Sequence, residues 1–122
     1  MATIVVIDDD AGMRNAILWA LQRKDHTVLT FEDATPALDR VQFGEVDLII
    51  TDLEMPLLGE QMIILLRDQG IFVPVIVISA YLDKDRTRYL NDLGVHQILE
   101  KPFQLSRLLA MVGEMTEQAW NV

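Results

Sequence analysis

The run Thr3-Ile4-Val5-Val6-Ile7-Asp8-Asp9-Asp10 places five apolar or β-branched residues directly ahead of three carboxylates. Five residues are too few for a helix, and β-branched side chains without polar alternation suit a strand buried on both faces. The acids end the run, and the apolar positions that follow, Met13, Ile17, Leu18 and Leu21, have helical spacing. Runs of the same kind recur at residues 27–31, 46–51, 73–79 and 95–99. Between them lie further helical stripes: Ala34, Ala37, Leu38 and Val41, then Met62, Leu65 and Leu66, then Tyr89, Leu90 and Leu93. A last stripe, Leu105, Leu108, Leu109, Val112 and Met115, closes the chain. The pattern is five β-α units.

Strict alternation with apolar strands predicts a parallel sheet covered by helices on both faces, because parallel neighbours need a crossover and crossovers are right-handed. The expected fold is α/β: a three-layer, doubly wound (βα)5 with five strands in the order 2-1-3-4-5. In that order the winding reverses between strands 1 and 3, and a ligand crevice opens at their carboxyl ends.

Composition narrows the function. The chain has 122 residues, 51% hydrophobic and 24% charged, and no cysteine. Residues 1–122 are expected to form one domain with a core that needs no disulfide or structural metal. Without a thiol there is no zinc-thiolate site or cysteine nucleophile, and a cytoplasmic setting is expected. The formal net charge of −9 opposes binding to a phosphate backbone, so nucleic acid is not expected as a partner of this domain alone. The longest apolar stretch, residues 73–82, is far short of the ~20 residues of a spanning helix, so neither membrane nor signal peptide is expected.

Asp8, Asp9 and Asp10 sit where strand 1 gives way to the first helix. Asp is a favoured N-cap, and Asp10 is assigned that role, but three acids exceed what a cap needs. Strand 3 ends in Thr51 and Asp52, followed by Leu53, Glu54, Met55 and Pro56, an extended turn because the residue before proline is driven out of helical geometry. With strands 1 and 3 adjacent, Asp52 faces Asp8 and Asp9 across the crevice. Like charges so placed raise one another's pKa or are held by a cation, and an all-oxygen set with open positions suits Mg²⁺. Strand 4 finishes in Ser79 and Ala80, and strand 5 leads into Glu100, Lys101, Pro102 and Phe103. Singly, Ser79 reads as a capping hydroxyl and Lys101 as a snorkelling surface residue. Together, a carboxylate nucleophile, an acidic cation site, a hydroxyl donor and an ammonium are the groups that phosphoryl transfer uses.

Over essentially its whole length the chain resembles the receiver domain of two-component response regulators, phospho-acceptor modules of chemotaxis-Y-like, flavodoxin-like fold. The resemblance rests on Asp8 and Asp9, on Asp52 with Met55 and Pro56, on Ser79 with Ala80, and on Lys101 with Pro102 and Phe103. It implies that Asp52 is phosphorylated, that Asp9, Asp52 and the backbone carbonyl of Glu54 ligate Mg²⁺, and that Asp8 completes the acidic pocket. It also implies that Ser79 hydrogen-bonds the phosphoryl group and that Lys101 pairs with a phosphoryl oxygen, with a cis peptide bond before Pro102. The implied donor is a sensor histidine kinase or a histidine phosphotransfer protein. An unknown downstream protein target would then read a repacked surface of helix 4, strand 5 and helix 5. Such a module phosphorylates itself and slowly loses the group, and is not a turnover enzyme.

Four features depart from or qualify the resemblance. Ile98 stands where most receivers carry Tyr or Phe, so an aromatic readout is not expected. The turn Met55-Pro56-Leu57-Leu58-Gly59 is about one residue short, with Leu57 and Leu58 as an apolar patch that either packs on helix 3 or docks a partner. Glu54 and Tyr81 are large at positions that in this family govern water access, so slow dephosphorylation is expected. His26 and His96 have no partner cluster and are read as structural or exposed. A chain starting at Met1 and ending at Val122 reads as a stand-alone receiver or one excised from a longer regulator, with Trp120 packing on the helices or anchoring a partner. The alternatives are a phosphate-independent pseudo-receiver scaffold and a Mg²⁺-dependent phosphohydrolase using Glu54 as general acid.

Overall fold

The computed structural model describes residues 1–54 and 59–120, with side chains described up to residue 116. The expectations for the turn at Met55 to Leu58 and for the Trp120 side chain lie outside the described residues. In chain order the elements are β1 (Thr3–Ile7), α1 (Ala11–Gln22), β2 (Thr27–Phe31), α2 (Ala34–Phe43) and β3 (Leu48–Asp52), followed by α3 (Gly59–Asp68), β4 (Val75–Ser79), α4 (Lys84–Asp92), β5 (Gln97–Glu100) and α5 (Leu105–Trp120). The sheet order is β2-β1-β3-β4-β5 with every pairing parallel, as the alternation predicts.

The strands divide their side chains between two cores. Val5, Ile7, Ile49, Val75 and Val77 face α2, α3 and α4, where Ala37, Val41, Met62, Ile63, Leu66 and Leu90 cover them. The alternate residues, Ile4, Val6, Leu48, Ile50, Ile76 and Ile78, face α1 and α5 through Ile17, Leu21, Leu108, Met111 and Val112. Successive side chains on a strand point to opposite faces, so a strand sandwiched between helical layers must be apolar throughout. β2, at one edge, has no fully buried residue.

Three strands begin two residues later than expected, and the local bonding gives the reason. The Asp47 amide donates to the Thr3 carbonyl at 2.8 Å and its carboxylate accepts the Thr3 amide at 2.8 Å, which closes the loop before β3 starts. Pro74 has no amide to give a ladder, although its carbonyl accepts from Ile49 at 2.9 Å. Val95 spends its amide on the Leu90 carbonyl, finishing the turn after α4 at 3.2 Å. Aspartates cap three of the helices that follow strands: Asp10, Asp33 and Asp83 accept amides of the first turn of α1, α2 and α4.

Candidate functional site

β1 and β3 are paired with Ile7 opposite Thr51, so the next residue of each chain, Asp8 and Asp52, emerges at the same edge of the sheet. Both are buried, at 1% and 3% exposure, while Asp9 is exposed. Carboxylate oxygens of Asp8, Asp9 and Asp52 all lie within 4.8 Å of one another. Asp8 is fixed in place: its Oδ1 accepts the Asp10 amide at 2.8 Å, and its carbonyl accepts Arg14 Nη1 at 2.7 Å. Among the described residues its Oδ2 is buried without a hydrogen-bond partner, and Lys101 Nζ stands 4.0 Å away. An unpaired buried carboxylate oxygen is costly, and here it faces two further carboxylates, a hard-oxygen donor set that fits Mg²⁺.

Asp52 receives two donors on separate oxygens. The Glu54 amide donates to Oδ1 at 2.9 Å, and Lys101 Nζ donates to Oδ2 at 2.6 Å. Lys101 is aimed by its own backbone, since its amide donates to the Ser79 carbonyl at 2.9 Å. The Lys101–Pro102 peptide bond is cis, as the resemblance implies. Ser79 is fully buried; its Oγ accepts the Tyr81 amide at 3.1 Å and donates to Glu54 Oε1. The five side chains singled out in the sequence, Asp8, Asp9, Asp52, Ser79 and Lys101, thus meet at one edge, together with the side chain of Glu54. Asp10 caps α1, accepting from Gly12 at 2.9 Å and Met13 at 3.3 Å.

Burial pushes the Asp8 carboxyl up to about 6, aided by the Asp52 charge and opposed by the Asp10 amide. Burial acts on Asp52 too, but hydrogen bonds from Glu54 and Lys101 and the lysine charge outweigh it and hold Asp52 below the ordinary carboxylate range. Glu54 is raised, first by burial and then by Asp52 beside it. For Lys101 burial works downward, yet the hydrogen bond and charge of Asp52, with Asp8 and Glu54, leave it above its usual value. The site is a set of carboxylates sharing too few cations.

Some contributors were not visible in the sequence. Arg86, in the first turn of α4, reaches Glu54 at 3.5 Å and Glu60 at 3.0 Å. Gly59 starts α3 so close to β3 that a Cβ there would lie 3.0 Å from both the Asp52 carbonyl oxygen and Thr51 Oγ1. The Tyr81 side chain, expected to restrict water, is 72% exposed, and the Tyr81 amide donates to Ser79 Oγ. Ile98 is half-buried and packs on the core beneath α2, α3 and α4.

A profile of the response regulator receiver domain family matches residues 4–113. The chain belongs to that family. This receiver is 32% identical over 117 residues to the transcriptional regulatory protein FixJ of Bradyrhizobium diazoefficiens, covering 95% of this chain and 57% of that one. It is 32% identical over 115 residues to the DNA-binding transcriptional regulator NtrC of Rhizobium meliloti, covering 92% of this chain and 23% of that one. The receiver therefore spans little more than half, or less, of the length of these curated relatives. Among solved structures, the receiver domain of the Francisella response regulator 1452 superposes with a TM-score of 0.92 at 26% identity, covering 98% of this chain and 99% of that one. The chemotaxis response regulator CheY4 of Vibrio cholerae gives 0.86 at 26% identity, with 94% and 98% covered. Receivers are signalling switches of two-component systems, not turnover enzymes, and the Asp8, Asp9 and Asp52 cluster is compatible with Mg²⁺. Among the described residues no helix is long and apolar enough to cross a membrane.

Proposed function

We propose that this receiver, taken as one domain over residues 1–122, accepts a phosphoryl group on Asp52 from a sensor histidine kinase or a histidine phosphotransfer protein. The change would pass to a downstream protein target, in the cytoplasm. The observation that carries the reading is the Lys101 ammonium 2.6 Å from Oδ2 of a buried Asp52 that also faces Asp8 and Asp9. A structural salt bridge needs one carboxylate; three within 4.8 Å of one another, with Lys101 near only two of them, are a liability unless cation and phosphoryl chemistry use them.

Mg²⁺ would be held by Asp8, Asp9, Asp52 and the backbone carbonyl of Glu54, where it supplies charge neutralisation for an incoming phosphate and for the product. The rest is the work of the chain's own groups. An Asp52 carboxylate oxygen forms a bond to phosphorus as the bond from phosphorus to the donor's imidazole nitrogen breaks, the nitrogen keeping the electron pair. Lys101 passes from the Asp52 carboxylate to a phosphoryl oxygen, and the Glu54 amide, already at Asp52 Oδ1, orients the carboxylate for attack. Ser79 Oγ, its position fixed by the Tyr81 amide, is the hydroxyl that turns to the new oxygens. The added group carries ~1.5 to 2 negative charges, so these donors must rearrange to meet it, and that rearrangement is the signal.

Intact mass after incubation with Mg²⁺ and acetyl phosphate tests this. One phosphoryl adduct is expected on the wild type, none on Asp52→Asn, and none when the metal is chelated. A folded wild type that gains no adduct would favour the phosphate-independent scaffold.

A further inference from the structure

The Ser79 hydroxyl has one proton to donate, and Glu54 Oε1 takes it. A phosphoryl group on Asp52 that is to be met by Ser79 must therefore displace the Glu54 carboxylate. That carboxylate is tethered: Arg86 Nη1 lies 3.5 Å from the same Oε1. The guanidinium is itself anchored at two other points, donating to the Tyr81 carbonyl at 2.9 Å and to Glu60 Oε1 at 3.0 Å. Arg86 belongs to the first turn of α4 and Glu60 to that of α3. One cation thus joins the chain after β3, the loop after β4 and the two helices that follow. Both of its stronger contacts are independent of Glu54, so the cation keeps its place whether Glu54 is present or has left.

We propose that the Glu54 carboxylate occupies the seat of the incoming phosphoryl group, and that Arg86 is the positioning residue that keeps it there. Phosphoryl acceptance then requires the Arg86–Glu54 contact to break. The inference rests on the reading of Asp52 as the acceptor. A phosphoryl oxygen and a carboxylate compete for one hydroxyl, and the phosphoryl group, with the larger charge, expels Glu54 toward solvent. Ser79 turns its proton to the new acceptor, while Arg86 stays with Glu60 and the Tyr81 carbonyl. The first turn of α4 thereby loses its tie to the Asp52 loop when the site is filled, which couples the chemistry to a helix by named contacts.

The test is the rate of phosphorylation by acetyl phosphate with Mg²⁺, read by intact mass against time, for wild type, Arg86→Ala, Glu54→Ala and the double variant. The expected rates are about threefold faster for Arg86→Ala and about tenfold faster for Glu54→Ala, with Arg86→Ala changing the rate by less than about 1.5-fold once Glu54 is gone. Arg86→Lys, which keeps the cation, should return toward the wild-type rate. If Arg86 merely attracts the anionic donor, its removal slows the reaction in both backgrounds, and that result overturns the proposal. A Glu54→Ala rate at or below wild type does so as well. A wild type that takes no phosphoryl group at all overturns the acceptor reading and this inference with it, whereas a phosphorylated wild type with independent effects at the two positions overturns this inference alone.

Discussion

Asp8 lies where burial and a neighbouring like charge act in the same direction. Its folded value of about 6 stands above the ordinary 3.8, so the folded state binds the proton more tightly than the unfolded chain does. The associated stability is fully present below pH 3.8 and is lost as the pH rises through about 6. Asp52 runs the other way: held low, it contributes stability above its unfolded value and loses it as the pH falls through the folded one. In chelator at pH 7.5, Asp8→Asn should therefore be more stable than wild type by about 1–3 kcal/mol in urea unfolding, and the gain should fade toward pH 4. A variant no more stable at pH 7.5 would mean that Lys101 already satisfies Asp8. The residues at this edge were legible because each is the polar residue that ends an apolar strand, as Asp8, Asp52 and Ser79 do. Arg86 was not, since nothing in the spacing of Asp83, Lys84 and Arg86 tells a solvated helix turn from one that reaches back 26 residues to Glu60.

At the scale of elements, the least legible helix face is that of α3. Met62, Ile63, Ile64, Leu65 and Leu66 are all apolar, so periodicity alone permits several faces. Met62, Ile63 and Leu66 are buried while Leu65 is 46% exposed, a choice made by how α3 leaves Gly59 against β3. The end of α3 carries a second feature hidden from the sequence. Arg67 donates from Nε to the Leu93 carbonyl at 3.2 Å, from Nη1 to those of Ile71 at 3.0 Å and Val73 at 3.2 Å, and from Nη2 to that of Gly94 at 3.3 Å. One guanidinium so satisfies carbonyls at the ends of α3 and α4 and on the approach to β4, where helix dipoles favour a cation. Arg67→Ala should cost about 2–4 kcal/mol in urea unfolding, because it strands several partly buried acceptors at once. Arg67→Lys should recover less than half of that, as a single ammonium lacks the fork that reaches four carbonyls. A loss under ~0.5 kcal/mol in the alanine variant would show that water replaces the guanidinium.

For the whole molecule, the sheet order was legible because handedness and strand burial leave few arrangements for five β-α units, and two cores on opposite faces need the apolar strands that the sequence supplies. The molecule's electrostatics follow from the same layout. Nineteen acidic residues against ten basic give a net charge of −9, and the sheet edge gathers three of the acids within 4.8 Å. Any salt should relieve the general repulsion by screening, but only a cation seated in the cluster adds binding energy to the folded state alone. Thermal or urea unfolding in MgCl₂ should therefore show higher stability than in NaCl of equal ionic strength, by about 2.7 kcal/mol once Mg²⁺ reaches one hundred times its Kd. Asp9 separates the two effects, because it is exposed and has no packing role, yet supplies one of the three clustered carboxylates. Asp9→Ala should keep the rise with NaCl and lose most of the extra rise with MgCl₂. An extra rise of the same size in Asp9→Ala would place the cation elsewhere on the acidic surface and remove the metal from the Asp52 site.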